Sequence, residues 1–304
     1  MAIYGGNMVK YCLGTVQFGS QYGIQGNRQP LEREVFEMLN FAIDRGIEIF
    51  DTASAYGESE KILGAYIRSH PKMRKNINIV SKLKQDAFLL HDDNTWERIA
   101  IQNAEESIER LGINKLYAYL FHDATYIFNE IAVNALNAVK KEGLADMIGV
   151  SIYQPEEAMK ALEYPFITAI QIPYNVFDQR LDACGFFEKA KAKGVMIFAR
   201  SSLLQGLVVM NPEVLPSRMA FAEVYLRKLL DICDDYGVSP LEAAIGYVGG
   251  KKEIDYVVFG VDNINQLNEY ISIRETVLPT SMVKRIQETF INVEERLVNP
   301  VLWK

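Results

Sequence analysis

The chain has 304 residues, 49% of them hydrophobic and 23% charged, and a net charge of −7. A chain of this length buries a full core without covalent staples, and its acidic balance leaves no basic excess to neutralise nucleic-acid phosphates. The three cysteines, Cys12, Cys184 and Cys233, are too few and too scattered for a disulfide framework and fit a reducing compartment.

No stretch approaches the roughly 20 apolar residues of a membrane helix. The segment Met1 to Lys10 lacks the basic-then-apolar order of a secretory signal. The expectation is a cytoplasmic protein with no nucleic-acid and no membrane partner.

Taken in chain order, short apolar runs predict strands at Tyr11–Val16, Ile47–Asp51, Ile77–Lys82, Leu116–Phe121, Met147–Ser151, Ala169–Pro173, Val195–Ala199 and Tyr256–Gly260. They are apolar throughout rather than alternating, as parallel strands covered on the outside should be. Amphipathic stretches between them predict helices. Leu31–Arg45 sets Val35, Leu39 and Ala42 on one face, and Thr95–Leu111, Ile127–Lys141, Pro155–Leu162 and Leu181–Lys193 behave alike. Gly46, Gly112, Gly143 and Gly194 stand where helix ends favour a left-handed residue.

The segment before the last strand is about twice the usual length and predicts two helices, Met219–Tyr236 and Pro240–Gly250. The second opens with the capping box Ser239-Pro-Leu-Glu242. A further helix is expected at Ser281–Val293. Eight strand–helix alternations without a linker predict an α/β fold. It would be a single-domain (β/α)8 TIM barrel over residues 1–304, with extra helices before strand eight and at the C-terminus. The rival doubly wound sheet would carry G-x-G-x-x-G after its first strand. That turn reads Gln17-Phe-Gly-Ser-Gln-Tyr-Gly23, which does not fit.

In a parallel barrel the active site lies at the C-terminal ends of the strands. There the second strand ends at Asp51, with Tyr56 close behind; the third ends at Lys82; the fourth runs into His122. Charges at the ends of apolar strands are costly unless paired, so an Asp51–Lys82 ion pair beside Tyr56 is expected. A neighbouring ammonium favours phenolate over phenol and should lower the Tyr56 pKa. Tyr56 would then protonate a carbonyl oxygen while His122 donates a hydrogen bond to it. Taken singly, the ion pair reads as a structural feature, and the histidine equally as a satisfied semi-buried residue or a catalyst. Their convergence with Tyr56 on one rim points to catalysis.

These residues make the chain resemble the aldo-keto reductase superfamily. The string F-D-T-A-x-x-Y-G-x-S-E, here Phe50 to Glu60, carries most of the likeness, with Lys82 and His122 arriving in the expected strands. The opening Leu13-Gly-Thr-Val-Gln-Phe-Gly-Ser-Gln-Tyr-Gly-Ile24 is similar to bacterial members found in surface-polysaccharide gene sets. The resemblance implies a catalytic tetrad: Tyr56 as proton donor, Lys82 lowering its pKa, Asp51 orienting Lys82, and His122 positioning the carbonyl.

It also implies a nicotinamide cofactor bound without a Rossmann domain. Thr15 would lie near the nicotinamide, and Ser151 and Gln171 would hold the carboxamide, with Ile152 where an asparagine is usual. Arg200 stands where many relatives carry a stacking aromatic residue; a cofactor contact and a rim salt bridge are both open to it. Ser201, Leu203 and Gly206 belong to a segment like the pyrophosphate loop. Gly260, Asn263, Gln266 and Glu269 belong to one like the adenosine-phosphate segment, with Asn263 and Gln266 as a helix cap. NADP(H) is the family's usual cofactor, with NAD(H) as the alternative. The stretch Val261 to Gln266 holds no cation and includes Asp262, so weak discrimination between the two is expected.

The function implied is an NAD(P)H-dependent oxidoreductase reducing an aldehyde or ketone to an alcohol. Its substrate would be a small, sugar-derived carbonyl, and the protein a monomer or weak homo-oligomer. The alternative is a cofactor-binding sensor or regulatory barrel with little turnover. Among the remaining residues, His70 and His91 read as solvated, and no spacing matches a metal site. Cys12, Cys184 and Cys233 read as small core residues, the latter two on helices. Gln17, Gln21 and Tyr22 are rim surface or substrate contacts.

Overall fold

The computed structural model describes residues 9–24 and 26–303. Most of the stretch read above for a secretory signal, residues 1–8, lies outside the described residues.

All eight apolar runs form strands: β1 (Tyr11–Gly14), β2 (Ile49–Asp51), β3 (Asn78–Leu83), β4 (Leu116–Phe121), β5 (Ala145–Ser151), β6 (Ala169–Pro173), β7 (Met196–Arg200) and β8 (Tyr256–Gly260). Every pairing is parallel and in sequence order, and β8 closes on β1 through Cys12↔Val258 and Gly14↔Gly260. The result is the expected (β/α)8 TIM barrel.

The first crossover holds a single turn, α1 (Val16–Gly19), and then α2 (Glu32–Asp44). The next four crossovers hold α3 (Ser59–Ser69), α4 (Trp96–Leu111), α5 (Glu130–Lys141) and α6 (Pro155–Ala161). Then come α7 (Phe186–Ala192), the pair α8 (Glu223–Tyr236) and α9 (Pro240–Gly249), and beyond β8 α10 (Ile264–Ser272), α11 (Thr280–Thr289) and α12 (Glu295–Val298).

Helix α3 is given no range in the sequence expectation, although eight strand–helix alternations call for a helix there, and Gly64 lies in its middle. Glycine weakens a helix locally, yet here a Cβ would stand 2.0 Å from the carbonyl oxygen of Arg110 on α4. Close packing of α3 on α4 therefore overrides propensity. Helix α5 starts later than Ile127 because Asn129 caps it, accepting from the N–H groups of Ile131 and Ala132. The predicted Leu181–Lys193 helix is broken by a turn before Phe186, so Cys184 sits in that turn rather than on a helix, while Cys233 lies on α8.

The barrel interior explains how the strands present polar groups. Cys12, Ile49, Val80, Leu120, Phe198 and Val258 form a separate apolar cluster inside the barrel. Side chains alternate faces along a strand, so the residue two positions on from each also points inward. Those residues are Gly14, Asp51, Lys82, His122, Arg200 and Gly260. The period that fills the core thus delivers an acid, two cations and an imidazole to one rim.

Candidate active site

A cavity of about 650 Å³ opens at this rim. At one end it is walled by Asp51, Tyr56 and His122; the loop after β7 lines its flank; and its other end is contributed by the β8–α10 segment.

Lys82 is fully buried, and its Nζ donates to Asp51 Oδ1 at 2.8 Å, Asp51 Oδ2 at 2.9 Å, Thr52 O at 2.9 Å and Tyr56 Oη at 3.4 Å. The ion pair expected from the sequence is present. Burial opposes a charge on Lys82, but the Asp51 carboxylate and Tyr56 together outweigh it and hold the ammonium above its ordinary pKa.

The expected acidification of Tyr56 needs correction. Burial raises the phenol pKa above its ordinary value by more than the Lys82 and Arg200 cations lower it. Tyr56 is therefore a neutral phenol at working pH, a state that still permits proton donation. The His122 ring meets the Tyr56 ring edge-on at 5.6 Å. Burial, helped by Lys82 and Arg200, pushes His122 down to about 3, so it is a neutral imidazole, and its buried Nδ1 has no partner among the described residues. A neutral acid and a neutral hydrogen-bond donor, backed by a buried cation, suit an oxygen that gains negative charge during reaction.

The turn carrying Tyr56 is held from below. Thr15 Oγ1 donates to the Asp51 carbonyl at 3.0 Å, and Ser59 Oγ bonds both the Thr15 and Thr52 hydroxyls, at 2.7 and 3.0 Å. Thr15 lines the cavity floor.

Ser151 lines the cavity, and its Oγ donates to Gln171 Oε1 at 2.8 Å. Gln171 Nε2 in turn donates to Asp51 Oδ1 at 2.8 Å. Gln171 is only 1% exposed and does not line the cavity, so it connects Ser151 to Asp51. Ile152 is equally buried.

Arg200 pairs with no carboxylate among the described residues. It donates to Ile152 O at 2.8 Å and Ser201 Oγ at 3.1 Å, and lies 4.5 Å over the Tyr153 ring. Ser201, Leu203 and Gly206 all line the cavity. Among the described residues, the positive φ values of non-glycine residues, at Ser201, Leu204 and Gln205, fall in this one loop. Such strain is often kept where a loop must follow a ligand.

Gly260, Gln266 and Glu269 line the β8–α10 end, whereas Asn263 caps α10 outside the lining, accepting from Gln266 N–H. Gln266 Oε1 reaches back to the Asp262 N–H at 2.7 Å, closing the reciprocal cap one residue earlier than expected.

Some lining residues were not singled out from the sequence. Tyr153 follows Ser151 by two positions, so strand phase was an available signal. Asn27 was not legible: it donates to Asp262 Oδ2 at 2.6 Å across 235 positions of sequence. Of the open trio, Gln17 and Tyr22 line the cavity.

The cavity suits a polar ligand. Gln17 Oε1 and Ser202 Oγ are buried there without partners among the described residues, and buried polar atoms are seldom left unpaired. At Gly260 a Cβ would stand 2.3 Å from Gln17 Oε1, so a side chain there would displace that amide. These groups fit a nucleotide cofactor bearing several acceptors and hydroxyls.

Comparison with known proteins agrees in fold. A solved structure from Pseudomonas aeruginosa, assigned as an aldo-keto reductase, superposes with a TM-score of 0.66 at 23% identity, over 88% of this chain and 90% of the other. A Schizosaccharomyces pombe protein assigned as an aryl-alcohol dehydrogenase is 24% identical, with 93% of each chain covered. An uncharacterised oxidoreductase of Bacillus subtilis is 22% identical, with 92% of each covered. The profile of the Aldo/keto reductase family matches residues 10–291, from just before β1 to beyond α11, and the chain belongs to that family.

Proposed function

We propose that this oxidoreductase reduces an aldehyde or ketone to an alcohol, with Tyr56 as the proton donor. The observation that carries the reading is the fully buried Lys82 ammonium, which bridges Asp51 and the Tyr56 hydroxyl. A bound nicotinamide cofactor, NADP(H) in most of the family, would supply hydride to the carbonyl carbon. The chain's own residues do the rest. Tyr56 Oη gives its proton to the carbonyl oxygen, His122 donates a hydrogen bond to that oxygen, and Lys82 stabilises the phenolate left behind. Asp51 keeps Lys82 charged and in place.

Ser151, Arg200, the loop from Ser201 to Gly206, and the segment from Gly260 to Glu269 would hold the cofactor. The likeness of the opening, Leu13 to Ile24, to bacterial members in surface-polysaccharide gene sets supports a sugar-derived carbonyl as the first class to try. The test is turnover against a panel of aldehydes, ketones and sugar-derived carbonyls with the wild type and Tyr56→Phe. Loss of about 10²–10⁴-fold in the variant, with cofactor binding kept, is expected of a positioned proton donor. Undiminished turnover removes Tyr56 from the reaction; cofactor binding with no turnover on any carbonyl favours the sensor alternative.

A further inference from the structure

We infer that this chain takes NAD(H) in preference to NADP(H), and that Asp262 sets the choice; the inference rests on the nicotinamide-cofactor reading above. If hydride is delivered to a carbonyl held by Tyr56 and His122, the nicotinamide occupies that end of the cavity. The adenosine ribose then falls to the β8–α10 end, and the two cofactors differ only there. The 2′-phosphate of NADP(H) brings close to two negative charges. Taking it out of water calls for guanidinium or ammonium partners.

Among the described residues the β8–α10 end offers none. Its lining comprises Asn27, Gly260, Asp262, Gln266, Glu269 and Tyr270, which include two carboxylates and no cation. Arg200 is the one lysine or arginine among the described residues that line the cavity, and it is committed at the other end, over Tyr153 and beside Tyr56 and His122.

Three arginines outside the lining are engaged elsewhere. Arg274 donates to Val9 O at 2.8 Å and Arg45 O at 3.1 Å and lies over Tyr11. Arg28 is paired with Glu34 through both terminal nitrogens, at 2.9 and 2.7 Å. Arg218 donates to Ile24 O at 3.1 Å.

Asp262 itself is fixed in place rather than free to swing away. Its Oδ2 accepts from Asn27 Nδ2 at 2.6 Å and from Gln266 Nε2 at 3.4 Å, and its own N–H is held by Gln266 Oε1. A carboxylate so placed repels a phosphate but accepts hydrogen bonds from the two hydroxyls of an unphosphorylated ribose. The N-terminus of α10 contributes some positive potential, but Asn263 already engages one of its N–H groups and Asp262 opposes it.

The experiment is equilibrium titration of the full-length, nucleotide-stripped protein with NADH and with NADPH, read by cofactor fluorescence, alongside Asp262→Asn. The asparagine keeps the shape and an acceptor for Asn27 while removing the charge. We expect NADH to bind at least tenfold more tightly than NADPH, about 1.4 kcal/mol, and the ratio to narrow several-fold in Asp262→Asn. Equal or tighter NADPH binding overturns the inference and leaves the nicotinamide reading standing. An unchanged ratio in a folded Asp262→Asn protein overturns the role of Asp262. Binding of neither cofactor overturns both readings together.

Discussion

Gln171 holds Asp51 from across the barrel: its Nε2 donates at 2.8 Å to Oδ1, the same oxygen that accepts from Lys82. The carboxylate that orients Lys82 is thus itself oriented from β6, and through Ser151 from β5. Gln171→Leu removes this support without touching Tyr56. It should leave the Ser151 hydroxyl short of an acceptor, cost about 1–3 kcal/mol of stability, and lower kcat by about tenfold through a loosened Asp51. Gln171→Glu should be worse, because two carboxylates at this distance cannot both ionise. Unfolding in urea together with kcat measurement checks the order, and a kcat equal to wild type in both variants would exclude a positioning role.

The Asp51–Lys82 pair invites a double-mutant cycle. Lys82 is fully buried and Asp51 nearly so. Removing either partner alone strands a charge, at about 3–5 kcal/mol. Lys82→Met leaves Asp51 with Gln171 and a cavity face, whereas Asp51→Leu leaves an enclosed ammonium with Thr52 O. The double variant leaves neither charge unpaired. Its destabilisation should therefore fall well short of the sum, while activity stays lost in all three. Additive denaturation energies would mean that the two charges do not depend on each other.

The barrel and the convergence of Asp51, Lys82 and His122 were legible because polar residues close otherwise apolar strands, and Tyr56 was legible from the string Phe50 to Glu60. In the structure Ile49, Val80, Leu120 and Phe198 lie inside the barrel, and the residue two places after each is Asp51, Lys82, His122 or Arg200. Three things were not legible, each for a spatial reason. The direction of the Tyr56 shift is a contest between enclosure and the Lys82 charge, and enclosure depends on loops that meet only in three dimensions. The Asn27–Asp262 bond joins the first and last β/α loops. The link from Gln171 to Asp51 depends on side chains from β2 and β6 meeting across the barrel interior.

His122 gives the protein a specific pH dependence. Its folded pKa of about 3 lies below the ordinary imidazole value of about 6.5. The unfolded chain therefore binds the extra proton first as pH falls. This histidine's contribution is complete above about pH 6.5 and is lost progressively toward pH 3. His122→Gln lacks the term, so its stability relative to wild type should improve by about 1–2 kcal/mol between pH 7 and pH 5. Urea midpoints of the two proteins at both pH values measure this. A constant difference would mean that His122 titrates normally. The same depressed value predicts no fall in carbonyl reduction from His122 titration between pH 8 and pH 5.

The position of Tyr56 depends on two glycines in contact. A Cβ on Gly19 would lie 1.8 Å from the carbonyl oxygen of Tyr56 and 2.5 Å from the Ser59 nitrogen, and one on Gly57 would lie 2.2 Å from the Gly19 oxygen. Backbone meets backbone here, so nothing flexible can yield. Gly57 also has φ +53°, a conformation that costs an alanine about 1–2 kcal/mol even in open space. Gly19→Ala should therefore push the whole 56–59 turn outward and lengthen the Lys82 Nζ–Tyr56 Oη distance, already 3.4 Å, beyond hydrogen-bonding range. Its effect on reduction should approach that of Tyr56→Phe although Gly19 carries no functional group. Gly143→Ala is the control: φ is +74° there, but nothing lies within 4 Å of the added carbon. That variant should lose about 1–2 kcal/mol of stability with kcat intact. The decisive comparison is kcat at matched folded fraction, and a Gly19→Ala protein with wild-type kcat would show that the turn keeps Tyr56 in place without this contact.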